Sequence, residues 1–266
     1  GSKRWIDLYF LPRFQPIELV KPFLIIFTSL ILCSQKFNNI YIKYLFSFII
    51  TLGIALLLSL QPDIGQTLLV FFSWSVLIFT SGVSIFLLFF LFSSIILIFF
   101  YLIFFVSKFT YIKNRLISFL DSETGTYNFQ SDKALESITS GGFFGKGIGE
   151  GTLKNRVPEA HTDYIISVIS EEFGVIAIIL IFLLFLVFIY SVFKKVNFEN
   201  DETIKLILVG SVSLILMQTI IHIGVNIRLF PTTGMTLPFI SYGGSSIISI
   251  SILSGIILNF TKRNLN

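Results

Sequence analysis

The chain has little charge, little sulfur and almost no histidine: of its 266 residues 13% are Asp, Glu, Lys or Arg, one is cysteine and two are histidine. The lone Cys33 excludes a disulfide framework and a cysteine-based metal site, and inside an apolar run it reads as a small buried side chain. So little charge also excludes an ordinary soluble domain, in which about a quarter of the residues are charged. What fills its place is apolar, with 54% hydrophobic residues and a mean hydropathy of +0.88. These are the proportions of a polytopic membrane protein. A net charge of +4 and a pI near 9.1 do not point to nucleic acid, because the basic residues sit at the ends of apolar runs rather than on one soluble face. Anionic lipid headgroups account for them.

Apolar windows long enough to cross the hydrocarbon layer as helices run from Ile17 to Ser34, Ile40 to Leu60, Ile64 to Gly82, Val83 to Val106, Gly174 to Phe193, Thr203 to Ile227 and Leu237 to Phe260. The expected fold is therefore all-α: a single membrane domain over residues 1–266, a transmembrane helix bundle of about seven spans. Lys36 and Lys43, Lys194 and Lys195, and Lys262 and Arg263 follow the first, fifth and seventh windows and so share one side. The positive-inside rule makes that side cytoplasmic and the long loop from Ser107 to Phe173 external. An odd number of spans then leaves Gly1 outside without a signal peptide, so upstream spans are expected to be missing.

Three glycine- and proline-rich stretches interrupt the apolar pattern: "SLQPDIGQT" (Ser59 to Thr67), "GGFFGKGIGEGTLKNRVPEAHTD" (Gly141 to Asp163) and "LFPTTGMTLPFISYGGSS" (Leu229 to Ser246). Irregular backbone at membrane depth is tolerated only inside protein or along a wet cavity. All three fall on the external side, and with the opening segment they are expected to line one outward-facing polar cavity. Glu18 and Lys21, three apart, share a helix face and read either as an interfacial ion pair or as part of that cavity. His222 reads as an interhelical hydrogen-bonding residue or a ligand. Ser241, in "SYGGSS", reads as close packing or a substrate contact.

"VPEAHTDYIISVISEEFG", Val157 to Gly174, places four carboxylates and a histidine at the mouth of a membrane helix. Asp163 there is either a helix N-cap or, in a low-dielectric cavity, a general base. Glu159 is a second acid or the structural partner of a loop arginine, and His161 is placed to tune either carboxylate. Arg4, Arg13, Lys146, Lys154 and Arg156 are all on the external side, and cations beside one carboxylate suit a diphosphate-bearing substrate whose attacking hydroxyl needs a base. "GKGIGEG", Gly145 to Gly151, lacks the Gly-Lys-Ser/Thr ending of a nucleotide loop and faces the outside, which excludes nucleotide binding.

These blocks, together with "RWIDL", "FQPIELVK" and "QPDIGQT", resemble in sequence and order the signatures of the SEDS family (shape, elongation, division and sporulation proteins) over nearly the whole chain. "GEGTLKN", "GQT" and "GMTLPFISYGG" are more similar to its division branch than to its elongation branch. The resemblance implies a ten-span fold of which this chain holds the last seven. It implies a multi-pass protein of the bacterial cytoplasmic membrane, with an active site facing the periplasm. The implied activity is an inverting peptidoglycan glycosyltransferase that polymerises lipid II, with Asp163 as the base and Arg4 and Arg13 on the diphosphate. Lys21, Glu159, His161, Lys154, Arg156 and Ser241 complete the expected substrate-binding set, and a divalent cation (Mg or Mn) is a possible cofactor with no legible ligands. The implied partners are a class B penicillin-binding protein and divisome proteins. Ile17 stands where the family usually has the Ser of "QPSE", so a polar contact is lost there. A lipid II flippase or transporter, which also uses broken helices, and a non-catalytic division scaffold are the rival readings.

Overall fold

The computed structural model describes residues 4–8, 11–120 and 129–262. The fold is the expected all-α bundle, with a short antiparallel strand pair, β1 (Ile6–Leu8) and β2 (Leu11–Phe14), before the helices. Helices α1 (Pro16–Cys33), α2 (Ile40–Leu60), α3 (Ile64–Thr80) and α4 (Ile85–Phe105) follow. The expected external loop carries two helices of its own, α5 (Thr110–Leu120) and α6 (Phe129–Gly141). The chain ends with α7 (Ile165–Val196), α8 (Glu202–Asn226) and α9 (Gly244–Lys262). Arg263, used above in assigning the sides, lies outside the described residues.

Among the described residues six helices are long and apolar enough to cross a membrane: α1, α2, α4, α7, α8 and α9. The expected third span, α3, is apolar but has 17 residues, about 25 Å at helical rise, at the lower limit for crossing the hydrocarbon core. Most expected boundaries shift by three residues or fewer, and two starts move further. The last span starts at Gly244 rather than Leu237, because the Leu237 carbonyl accepts the amides of Ile240 and Ser241 and Phe239 turns the chain at φ 66°. The fifth starts at Ile165, nine residues before Gly174, and passes through a break at Gly174 (φ 80°, ψ 174°).

The residues divide into two compact units. The first holds residues 1–110, 190–217 and 244–266, and the second 111–189 and 218–243. In the first unit, α1 starts at Pro16, whose fixed φ suits a first helical position, and Asn39 and Asp63 cap α2 and α3 by accepting the amides of Tyr41 and Gln66. Leu32, Trp74, Leu77, Ile78, Val83, Leu88 and Leu206 form its larger apolar cluster, and the Trp74 indole donates to Ser47 Oγ at 3.1 Å. Helix α4 presents nearly its whole circumference outward, as a lipid-facing helix does.

A buried polar network joins α1 to α3 in this unit. Lys21 pairs with Glu18 at 2.8 Å, and Gln66 Nε2 donates to the other Glu18 oxygen at 2.7 Å. Gln15 Nε2 donates to Asp63 at 3.2 Å, and the Arg4 guanidinium lies 3.4 Å from the same carboxylate while donating to Pro62 O at 2.6 Å. All but Arg4, which is half-buried, are buried. Removing one member would leave an unpaired charge away from water, so the network is held by mutual need. Burial pushes the Asp63 carboxyl above its ordinary value, against the opposing pull of Arg4 and the Gln66 amide.

In the second unit the helix break is enforced sterically. A Cβ on Gly174 would lie 2.1 Å from Phe143 O, and one on Gly145 would lie 2.2 Å from Glu172 O. Gly174→Ala is therefore expected to destabilise by about 2 kcal/mol or more, from positive φ and backbone overlap together. Gly53→Ala, in α2 with nothing near its Cβ, is expected to be neutral or stabilising by up to about 1 kcal/mol. Melting of both variants in detergent checks the contrast.

The Asp63 shift gives a pH prediction. A carboxyl with a raised folded pKa binds its proton more tightly folded than unfolded, so its contribution is present in full below the unfolded value and lost as pH rises through the folded one. Wild type should hold its greatest advantage over Asp63→Asn near pH 4 and lose part of it by about pH 8. An advantage in apparent Tm that grows with pH would contradict this.

Candidate functional site

The "PEAHTD" segment forms a tight turn directly before α7, in the second unit. Glu159 makes it: at φ 55° its carbonyl accepts three amides, from Thr162 (3.1 Å), Asp163 (3.1 Å) and Tyr164 (3.3 Å). Its carboxylate accepts the Thr162 hydroxyl at 3.0 Å. Left-handed backbone is uncommon outside glycine, and here convergent hydrogen bonds hold it.

The outer carbonyls of this turn are held in succession by other segments. Tyr242 N donates to His161 O at 2.9 Å, Ser241 Oγ to Thr162 O at 2.6 Å and Asn226 Nδ2 to Asp163 O at 3.1 Å. The segment that supplies Ser241 and Tyr242 is braced in turn. Gln218 Nε2 donates to Thr236 O at 2.9 Å, and His222 Nδ1 lies 2.7 Å from Met235 O. A carbonyl only accepts, so Nδ1 of His222 carries the hydrogen, and this histidine serves as a hydrogen-bonding residue from helix to loop.

Beside the turn lies a cavity of about 700 Å³ lined by Glu159, His161, Thr162 and Tyr242, with Val157, Ala160, Val168 and Glu172. His161 and Tyr242 are exposed, and Asp163 is half-buried next to Thr162. Burial pushes the Tyr164 hydroxyl well above its ordinary pKa, and the Asp163 charge adds to the shift. Arg115 opposes the shift and Asp132 reinforces it. Arg228 pairs with Asp132 at 2.7 Å.

The glycine-rich loop is tied to the same helix. Fully buried Glu171 accepts Thr152 N (2.9 Å), Leu153 N (3.0 Å) and Ser137 Oγ (3.1 Å), and its carboxylate lies 3.3 Å from Lys146 Nζ. Gly147 N and Gly149 N reach the Glu172 carbonyl and carboxylate at 3.0 and 3.2 Å. The two carboxylates of "SEEFG" thus fold the loop.

The structure brings Glu159, His161, Asp163 and Ser241 together in the second unit, with Arg156 exposed in the same unit. Arg4 and Lys21 belong to the buried network of the first unit, and Arg13 there makes an exposed pair with Asp7 at 2.8 Å. The side chain of Lys154 lies outside the described residues. Sequence reasoning missed Asn226, Tyr242, Glu171, Arg115 and Arg228. Asn226 had a legible signal, one helical turn beyond His222 in an apolar span; Arg115 and Arg228 had none. Among the described residues no group of three or more His, Cys, Asp and Glu is placed to hold a metal ion.

The chain as a whole is similar to known proteins. The family model of the FtsW, RodA and SpoVE cell cycle proteins matches residues 1–266. A probable peptidoglycan glycosyltransferase FtsW of Caulobacter vibrioides is 34% identical over 99% of this chain and 66% of its own length. The protein of the same name from Enterococcus hirae is 32% identical over 99% of the chain and 69% of its own. The chain thus spans about two thirds of these relatives' length. Among solved structures, a chain described in work on a peptidoglycan synthase complex and its coordination of polymerization and crosslinking superposes with a TM-score of 0.81 at 27% identity, covering 100% of this chain and 75% of that one. The rod shape determining protein RodA of Thermus thermophilus superposes with a TM-score of 0.67 at 25% identity, covering 100% and 71%. With its whole length matched by the family model, this multi-pass chain belongs to the FtsW, RodA and SpoVE family of cell cycle proteins.

Proposed function

We propose that the protein is a peptidoglycan glycosyltransferase that polymerises lipid II at the outer face of the bacterial cytoplasmic membrane during cell division, with Asp163 as the general base. The observation that carries the reading is the turn itself: a carboxylate on a backbone locked at Glu159, His161, Thr162 and Asp163, one residue along from Thr162 in the wall of a largely apolar cavity that Glu159 and His161 also line. The names of the relatives supply the reaction class.

In this reading the 4-hydroxyl of the acceptor GlcNAc loses its proton to the Asp163 carboxylate as its oxygen attacks the anomeric carbon of the growing strand. The bond from that carbon to the diphosphate oxygen breaks with its electron pair, and undecaprenyl diphosphate leaves. One displacement inverts the anomeric centre and needs no covalent enzyme intermediate. Exposed Arg156, in the same unit as Asp163, is the cation this reading assigns to the diphosphate, while Arg13 in the first unit is held only by an exposed pair with Asp7 worth at most about 1 kcal/mol. Arg4 and Lys21, already committed to Asp63 and Glu18, set the shape and potential of their region and complete the set with Lys154. Lys36, Lys43, Lys194 and Lys195 at the opposite helix ends support the outward orientation of the site. A class B penicillin-binding protein would crosslink the strand, and divisome proteins would place the enzyme.

Lipid II polymerisation by the reconstituted enzyme with its transpeptidase partner tests this. Asp163→Asn, isosteric but poor as a base, should lower turnover by about 10²-fold or more while leaving expression and melting near wild type. Full turnover by that variant would reject the base. Lipid II crossing liposomes without polymer forming would favour a transporter, and cells dividing normally on the variant would favour a scaffold.

A further inference from the structure

Three consecutive carbonyls carry the reactive turn, and each is held by a donor from a distant segment: His161 O by Tyr242 N, Thr162 O by Ser241 Oγ and Asp163 O by Asn226 Nδ2. Two of the three donors are side chains, so they can be removed without altering the backbone. Asn226 is fully buried in the last turn of α8, and its amide gives one hydrogen to His222 O of its own helix (2.8 Å) and one to Asp163 O. Its side-chain oxygen has no hydrogen-bond partner among the described residues. An asparagine whose carbonyl is unused at full burial serves through its two N–H groups, and those join the end of α8 to the backbone of Asp163.

Ser241 is 3% exposed. Its single hydrogen goes to Thr162 O, and a lone pair accepts Leu237 N at 2.8 Å. That leaves no donor for a sugar or a phosphate. The sequence expectation of a substrate contact at Ser241 thus gives way to a different role.

We propose that Asn226 and Ser241 are positioning residues for Asp163. They fix the backbone from which the carboxylate projects, so that it meets the acceptor hydroxyl without reorganisation. The Asp163 peptide is gripped from both sides, with its amide on Glu159 O and its carbonyl on Asn226. The segment behind Ser241 is fixed to α8 through Gln218 and His222, so both anchors refer the acid to the same helix. Misplacing a reacting group by about 1 Å costs on the order of 100-fold in rate, which is why such a grip matters.

The inference rests on the base reading of Asp163, and the test separates the two. Steady-state lipid II polymerisation is measured for Ser241→Ala, Asn226→Ala, Asp163→Asn and the doubles of each alanine variant with Asp163→Asn, in the intact complex below the apparent Tm of every variant. The alanine variants should lose about ten- to 100-fold in kcat with KM within about twofold of wild type. In the Asp163→Asn background the same alanine changes should have almost no further effect, because the group they position is already gone. A purely structural contribution would lower activity equally in both backgrounds and would overturn the proposal. A raised KM with unchanged kcat in Ser241→Ala would overturn it in favour of a direct substrate contact. If Asp163→Asn is inactive while both alanine variants turn over like wild type, positioning fails and the base stands. If Asp163→Asn is fully active, the base fails and positioning with it. Should one alanine variant not fold, the other, on an independent anchor, gives the same reading.

Discussion

Wherever a chain leaves helical geometry at or near membrane depth, its carbonyls and amides must find partners inside the protein, because hydrocarbon offers none. The second unit is built around that constraint. The turn from Glu159 to Tyr164 uses one carbonyl to satisfy three amides, and its outer carbonyls are met by Asn226, Ser241 and Tyr242. The break in α7 at Gly174 is closed by the loop from Gly141, with Val175 N on Gly142 O at 3.0 Å. Rigidity at the site and tolerance of irregular backbone are thus the same set of hydrogen bonds.

Charge follows the same economy in both units. Buried Glu171 is satisfied by two amides, a hydroxyl and Lys146, and buried Glu18 by Lys21 and Gln66. Neither carboxylate is left for chemistry. Asp163 differs from these in being half-buried, on a backbone held at both ends, beside a cavity with exposed His161 and Tyr242 at its wall. That difference in environment, more than the residue type, is what supports the proposed role of Asp163 as a base.

The helices were legible because membrane spans announce themselves by length and apolarity. Ile40 to Leu60 came out to the residue, and Thr203 to Ile227 within one. Boundaries failed where local turn chemistry overrides hydropathy: "LPFISY" is apolar enough to continue a span, yet Phe239 turns left-handed and α9 waits until Gly244. The turn around Asp163 could be located from its polar residues at a helix mouth, but the part Glu159 plays in shaping it, through its own backbone carbonyl, had no sign in the sequence. The pairings of Asn226 and Ser241 with the turn span 63 and 79 residues, which periodicity cannot encode. The hairpin β1–β2 escaped notice because "IDL" and "LPRF" are too short to show alternation.

The central claim is that the turn from Glu159 to Tyr164 is held by satisfied backbone groups rather than left free. Amide hydrogen exchange of the protein in lipid nanodiscs measures this directly at Asp163, Tyr164 and Tyr242. The account predicts exchange at these three amides as slow as at the core of α8. Exchange at the rate of freely solvated amides would contradict it.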